Sequence, residues 1–187
     1  MKERAKTQIQ ASIDLLERVR DELLDQVVAA AELMRVALAE NQKILVAGNG
    51  GSAADAQHFA AELVGRYLVE RPARAAIALT TDTSILTAVG NDYGFEQIFS
   101  RQIEGLGQKG DVFLAISTSG KSPNLVRALE VARTMELVTI ALVGKDGGAM
   151  KNLADRVILV PSQDTPRIQE AQHWIWHTWC DLLDQKL

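Results

Sequence analysis

The sequence predicts a doubly wound α/β fold: a five-stranded parallel sheet flanked by helices, preceded by a long helical segment. Three observations carry this reading. Five short, nearly continuous apolar runs, KILVAG, AAIALT, DVFLAIS, VTIALVG and RVILVP, start at Lys43, Ala75, Asp111, Val138 and Arg156, each bounded by charged, Gly or Pro residues. None shows a period of two, so the strands they form are expected to be buried on both faces. Stretches of helical composition separate them, the pattern of parallel strands joined by helical crossovers. The 187 residues fit one domain, with 1–40 as the helical segment and 41–187 as the α/β core and final helix.

Taken in order, Ile13, Leu16, Val19, Leu23, Val27, Met34 and Leu38 recur at helical intervals with charged and amide residues between them. This predicts helix from Ile9 to Leu38, broken at most once. Such a segment exceeds what one small sheet needs to cover a face, so part of its apolar stripe is expected to pack on another subunit. Further helices are expected from Ala53 to Tyr67, Phe95 to Leu106 and Asn124 to Met135, with a shorter one near Met150 and a last one from Arg167 to Leu183. Trp174, Trp176 and Trp179 on the last helix offer large surface for burial at an interface.

The composition excludes several classes. A net charge of −4 without a clustered basic excess gives no footprint for nucleic acid or an anionic membrane surface. No apolar run approaches the roughly 20 residues that span a bilayer. The lone cysteine, Cys180, has no partner within the chain, and MKERAKTQIQ opens on charge with no secretory apolar stretch, so a cytoplasmic, soluble protein is expected.

Ligands of doubly wound sheets bind at the carboxyl ends of strands, which singles out the loops after KILVAG and DVFLAIS. The first is Gly48-Asn49-Gly50-Gly51-Ser52, followed at once by a helix. Its glycines let backbone N–H groups approach an anion, and Ser52 can cap the helix or donate to a guest. The same residues also suit a plain strand-to-helix turn, and neither GxGxxG nor a Walker loop is present. The second loop, Ser117-Thr118-Ser119-Gly120-Lys121-Ser122-Pro123-Asn124, brings four hydroxyls to a helix start. Neutral donors there match the oxygens of a phosphate dianion, although Ser and Thr also dominate ordinary capped turns.

All three histidines fall in two helices. His58 and Glu62, four residues apart, share a face, as do His173 and His177. Histidine, glutamate and the amide oxygen of Gln169 form a set compatible with zinc or another borderline divalent ion. Gln169 and His177, however, lie about 12 Å apart along a regular helix. Either the helix start is irregular or two subunits contribute. His173 and His177 could instead share a metal from one face, and His173, beside Trp174 and Trp176, also reads as an interface or core residue.

The segments GNGGSAADAQHFAAEL, GNDYGFEQIFSRQIE, DVFLAISTSGKSPN and TPRIQE, with a histidine eight residues after that glutamine, closely resemble the bacterial phosphoheptose isomerase family across nearly the whole chain. The strand with STSG alone resembles only a SIS domain, a sugar-phosphate fold shared by isomerases, synthases and regulators. The resemblance implies conversion of D-sedoheptulose 7-phosphate to D-glycero-D-manno-heptose 7-phosphate, on the way to the heptose of surface polysaccharide. It also implies a homotetramer with sites at subunit interfaces, which would relieve the spacing problem. Carried over by position, the metal ligands are His58, Glu62, Gln169 and His177, with zinc as the ion. The substrate contacts are Asn49, Gly50, Gly51, Asn91, Asp92, Ser117, Thr118, Ser119 and Ser122, together with Glu62 and Gln169. Glu62 as base and His177 as its partner at the oxygens are the implied catalytic pair.

One departure stands out. Family members commonly carry a histidine three residues after the motif glutamine, where this chain has Gln172, while His173 occupies a usually aliphatic position. The rival reading is a non-catalytic SIS regulator or a protein that associates with a replication initiator. That branch tends to lose the acidic residue of the HFAAE motif, and Glu62 is intact here.

Overall fold

The computed structural model describes residues 1–184. Helix α1 (Lys2–Ala39) leads into β1 (Ile44–Gly48), α2 (Gly51–Val64), β2 (Ala76–Ala78), α3 (Thr83–Asp92), α4 (Ser100–Leu106), β3 (Val112–Ser117), α5 (Pro123–Thr134), β4 (Val138–Val143), β5 (Arg156–Leu159) and α6 (Thr165–Asp184). Single turns of 3-10 helix lie at Phe95–Gln97 and Met150–Asn152. All five strands pair in parallel in the order β2-β1-β3-β4-β5. The chain order reverses about β1 and β3, so the crevice for a ligand opens between the ends of those two strands.

Alternate residues of the central strands feed two cores. Ile44, Val46, Val112, Leu114, Ile116, Ile140 and Leu142 face α1, α2 and α6. Leu45, Ala47, Phe113, Ala115, Ala141 and Val143 face α4 and α5. Because both faces are apolar, no period of two survives in the sequence. The expectation of five strands buried on both faces holds for the middle of the sheet only. β2 and β5 are its edges, and each leaves residues partly or fully exposed.

Other expectations are corrected. α1 runs unbroken for 38 residues, as the expectation of at most one break allowed, but it starts at Lys2 and not at Ile9. α2 starts two residues before Ala53 and stops at Gly65, short of Tyr67. α3 was not foreseen. It buries none of its residues in this chain and is started by Asp82, whose carboxylate accepts from the Ile85 N–H at 2.9 Å. Its Thr- and Ser-rich first turn and Gly90 disguise the helical pattern. Trp176 and Trp179, expected to offer interface surface, are wholly buried within the chain, because α6 packs against α1 and α2. The Trp179 Nε1–H donates to the Val27 carbonyl at 2.9 Å, satisfying the one polar atom of that indole. Trp174 alone remains outside, 38% exposed.

Asp184 pins the segment after α2. Its carboxylate accepts from Arg71 Nε at 2.6 Å and from the Leu68 N–H at 2.9 Å, with both side chains nearly buried. Among the described residues no helix is long and apolar enough to cross a membrane.

Candidate active site

The first loop turns from β1 into α2 at Gly50, whose φ of +56° is left-handed and favours glycine. No side chain caps α2; the Ser52 and Ala53 N–H groups donate to the Asn49 and Gly50 carbonyls at 3.0 and 3.1 Å, so the turn closes on its own backbone. Ser52 does not cap. It lies inside the helix, buried, where its backbone crowds Gly48.

The second loop is held by its own hydroxyls. Ser117 Oγ accepts from the Gly120 N–H at 3.1 Å and the Ser119 N–H at 3.4 Å, and Ser119 Oγ accepts from the Lys121 N–H at 3.3 Å. Gly120 has φ +66° and rests on the backbone of Gly147 and Gly148. Ser122 precedes Pro123, the first residue of α5, without capping it. Thr118 and Ser119 remain partly exposed at the sheet end. Lys121 forms an exposed ion pair with Asp146 at 2.9 Å.

A reciprocal amide pair locks the two loops together. Asn49 Nδ2 donates to Asn124 Oδ1 at 3.0 Å and Asn124 Nδ2 donates to Asn49 Oδ1 at 2.9 Å. The sequence reading counted Asn49 among the substrate contacts but took Asn124, which is buried, only as the end of the second loop and the start of a helix. Asn49, Ser122 and Asn124 line a cavity of about 390 Å³ together with Gly94, Phe95 and Glu96. Asn91 and Asp92 stand just upstream at the end of α3, exposed, with Asn91 Nδ2 donating to Asp92 Oδ1 at 2.7 Å.

Further along α2 lies a second centre. His58 follows Gly51 by seven residues, about 10 Å along the axis. His58 Nε2 is 2.9 Å from Glu62 Oε1. Across the α2–α6 contact the His58 ring lies 5.3 Å from that of His177, and His173 lies 4.4 Å from His177. Tyr67 folds back to stack on His177 at 5.4 Å. Burial first, and then the neighbouring His173 and His58, hold the His177 pKa below the usual histidine value, against the opposing pull of Glu62 and Asp55. His177 is therefore a neutral imidazole at neutral pH, able to accept a proton or bind a metal.

The donor set fits a divalent ion. One ligand nitrogen from each of His58, His173 and His177 lies within 4.8 Å of the others, with the Glu62 carboxylate alongside. Gln169 sits two turns earlier on α6, where a Cβ on Gly51 would come 2.6 Å from its Nε2. Because α6 runs unbroken from Thr165 to Asp184, an irregular start cannot bring Gln169 down to His177. The structure thus brings His58, Glu62 and His177 together, adds His173, and leaves Gln169 at the glycine loop. Sequence reading missed Asp55, whose Oδ1 is 3.3 Å from His173 Nδ1. Its three-residue spacing from His58 was the available signal.

Residues 9–144 match the SIS domain family. Over all of its 187 residues the chain is 54% identical to the phosphoheptose isomerase of Geotalea daltonii, covering 97% of that protein. Among solved structures it superposes on the phosphoheptose isomerase of Neisseria gonorrhoeae with a TM-score of 0.94, at 45% identity and 99% coverage of each chain. The corresponding enzyme of Francisella tularensis gives 0.95, at 41% identity and 98% coverage of each. The long first helix, the sheet order and the loops at its switch point are thus common property, and the chain belongs to the phosphoheptose isomerase family of SIS-domain proteins.

Proposed function

We propose that this protein is a cytoplasmic sugar-phosphate isomerase that converts D-sedoheptulose 7-phosphate to D-glycero-D-manno-heptose 7-phosphate, the entry to heptose for surface polysaccharide. The observation that carries it is the retention of the Glu62–His58–His177 cluster in a chain related over its full length to phosphoheptose isomerases. One sheet shared by both cores supports reading the chain as a single domain.

In this reading the phosphate sits on the α5 loop, held by Ser117, Thr118, Ser119 and Ser122, while Asn49, Gly50, Gly51, Asn91 and Asp92 take the hydroxyls. Glu62 removes a proton from C1 of the ketose and returns it to C2 of the enediol. His177, kept neutral by its surroundings, passes the compensating proton between the oxygens on those carbons. The carbonyl moves from C2 to C1 and no atom is gained or lost. Zinc held by His58, Glu62 and His177, with Gln169 supplied by a second chain because α6 is unbroken, would give Lewis-acid stabilisation of those oxygens. Support for the ion comes from the convergence of the imidazoles beside a carboxylate.

The loops and the imidazole cluster are separated along α2, and α1 leaves Ile9, Ile13, Leu24, Val28 and Val36 exposed. Both features support association in which the cradle of one chain serves the cluster of another, and the family resemblance supplies the expectation of a homotetramer. The direct test is aldose formation from sedoheptulose 7-phosphate beside shorter ketose phosphates. Binding without turnover would refute the enzymatic reading and point to a regulator. The assembly is tested by mixing Glu62→Gln chains with Ser119→Ala/Ser122→Ala chains after dissociation. Random pairing across an interface restores about a quarter of native activity at equal mixing, whereas sites built within one chain regain none.

A further inference from the structure

We propose that His173, oriented by Asp55, is a third imidazole ligand for a divalent metal ion at the His58–His177 cluster. The inference rests on the metal-assisted reading above and concerns a residue that the family resemblance leaves without a role.

Three observations converge. First, Gln169, His173 and His177 follow one another at four-residue steps on an unbroken helix, so His173 fills the gap of about 12 Å between the two α6 residues that resemblance assigns to the ion. Second, the ligand nitrogens of His58, His173 and His177 already lie within 4.8 Å of one another. Zinc–nitrogen bonds of about 2.1 Å need nitrogens roughly 3.4 Å apart, so from within 4.8 Å the rings have at most about 1.4 Å to close. Third, Asp55 Oδ1 stands 3.3 Å from His173 Nδ1, and its side chain is only 14% exposed. A carboxylate on one ring nitrogen fixes the tautomer and leaves Nε2 for the metal, the arrangement that commonly supports metal-binding histidines. Three imidazoles form a familiar zinc ligand set, so the cluster can hold the ion within one chain without Gln169. The competing role is packing, since the His173 ring also sits edge-on to Trp176 at 4.3 Å.

The two roles separate in a binding experiment on the full-length protein. Metal is removed with a chelator, and the protein is titrated with Co²⁺ while its visible absorption is recorded. Zn²⁺ affinity is then measured by chelator competition. His173→Ile, which keeps an apolar side chain against Trp176, is expected to weaken Zn²⁺ binding at least tenfold and to change the Co²⁺ spectrum. Asp55→Asn, which keeps the shape, is expected to weaken it about tenfold. His173→Asn gives a second measurement should the isoleucine disturb folding, and melting of the metal-free forms checks that each variant is folded. If His58→Gln loses the metal while folded His173→Ile retains native affinity and spectrum, the proposal fails and the metal-assisted reading survives. If the native protein binds no Co²⁺ or Zn²⁺, both fail together.

Discussion

Gly120 and Gly50 both adopt left-handed backbone, at φ +66° and +56°, and both border the crevice, yet their surroundings differ. A Cβ at Gly50 meets nothing within 4 Å, whereas one at Gly120 overlaps the Gly147 carbonyl and comes 3.0 Å from Gly148 N. Gly50→Ala therefore carries the conformational penalty alone, about 1–3 kcal/mol at φ +56° and ψ −120°. Gly120→Ala carries a positive-φ penalty of similar order plus displacement of one loop against another. Overpacking of that kind costs a further 1–3 kcal/mol or so. The displacement also pulls on the two N–H groups that Ser117 Oγ holds, so the hydroxyl cradle loses its shape. Denaturant titration of both variants should thus show Gly120→Ala less stable than Gly50→Ala by about 1–3 kcal/mol. Its KM for the sugar phosphate should rise in parallel. Equal stability of the two variants, or a KM unchanged in Gly120→Ala, would refute the claim that the Gly120–Gly147 contact shapes the phosphate site.

Three further outcomes follow from the geometry. Ser119→Ala with Ser122→Ala should raise KM by about tenfold per lost hydroxyl, since hydrogen bonds to a charged group contribute about 1.5 kcal/mol or more each. Neither hydroxyl caps a helix, so an equal loss of stability would support the capped-turn reading instead. Glu62→Gln keeps the shape of the side chain and should still bind sugar phosphate, while kcat falls by about 10²–10⁴ in steady-state assay. Near-native turnover would remove Glu62 from proton transfer. Burial pushes the Asp184 carboxyl up, but the Leu68 and Val69 amides and Arg71 together hold it below the ordinary carboxylate value. A depressed carboxyl stabilises above its unfolded pKa and loses that contribution as pH falls through the folded one. Asp184→Asn should therefore lose about 3 kcal/mol at pH 7. The gap to the native protein should close below about pH 4, and a gap constant down to pH 3 would contradict the ion pair as its source.

Much of the architecture could be read in the chain because each strand of the sheet is a local apolar run and each crossover helix is a separate block of composition. The two loops at the carboxyl ends of β1 and β3 were legible for the same reason: strand, glycine or hydroxyl cluster and helix start are contiguous in sequence. What escaped was set by contacts distant in sequence. α3 meets the core only through the partly buried Leu86 and Val89, too short a stripe to stand out in the sequence. Trp176 and Trp179 look identical to interface tryptophans until α1, some 150 positions earlier, is laid across them. Asn124 gains meaning only through Asn49, 75 residues away.

The histidine centre falls between these cases. Each four-residue pair, His58 with Glu62 and His173 with His177, is visible on its own helix, because α-helical spacing fixes which side chains share a face. That the two faces meet is decided by the α2–α6 packing around Phe59, Trp176 and Trp179, whose bulk sets the distance between the helices and so between the rings. Local chemistry therefore tells which residues can act, and the apolar layer beneath them tells which act together. This explains how His173 comes to lie beside His58 and His177. Its face of α6 is turned towards α2, so the side chain at that one position decides whether the face only packs or also presents an imidazole to the cluster.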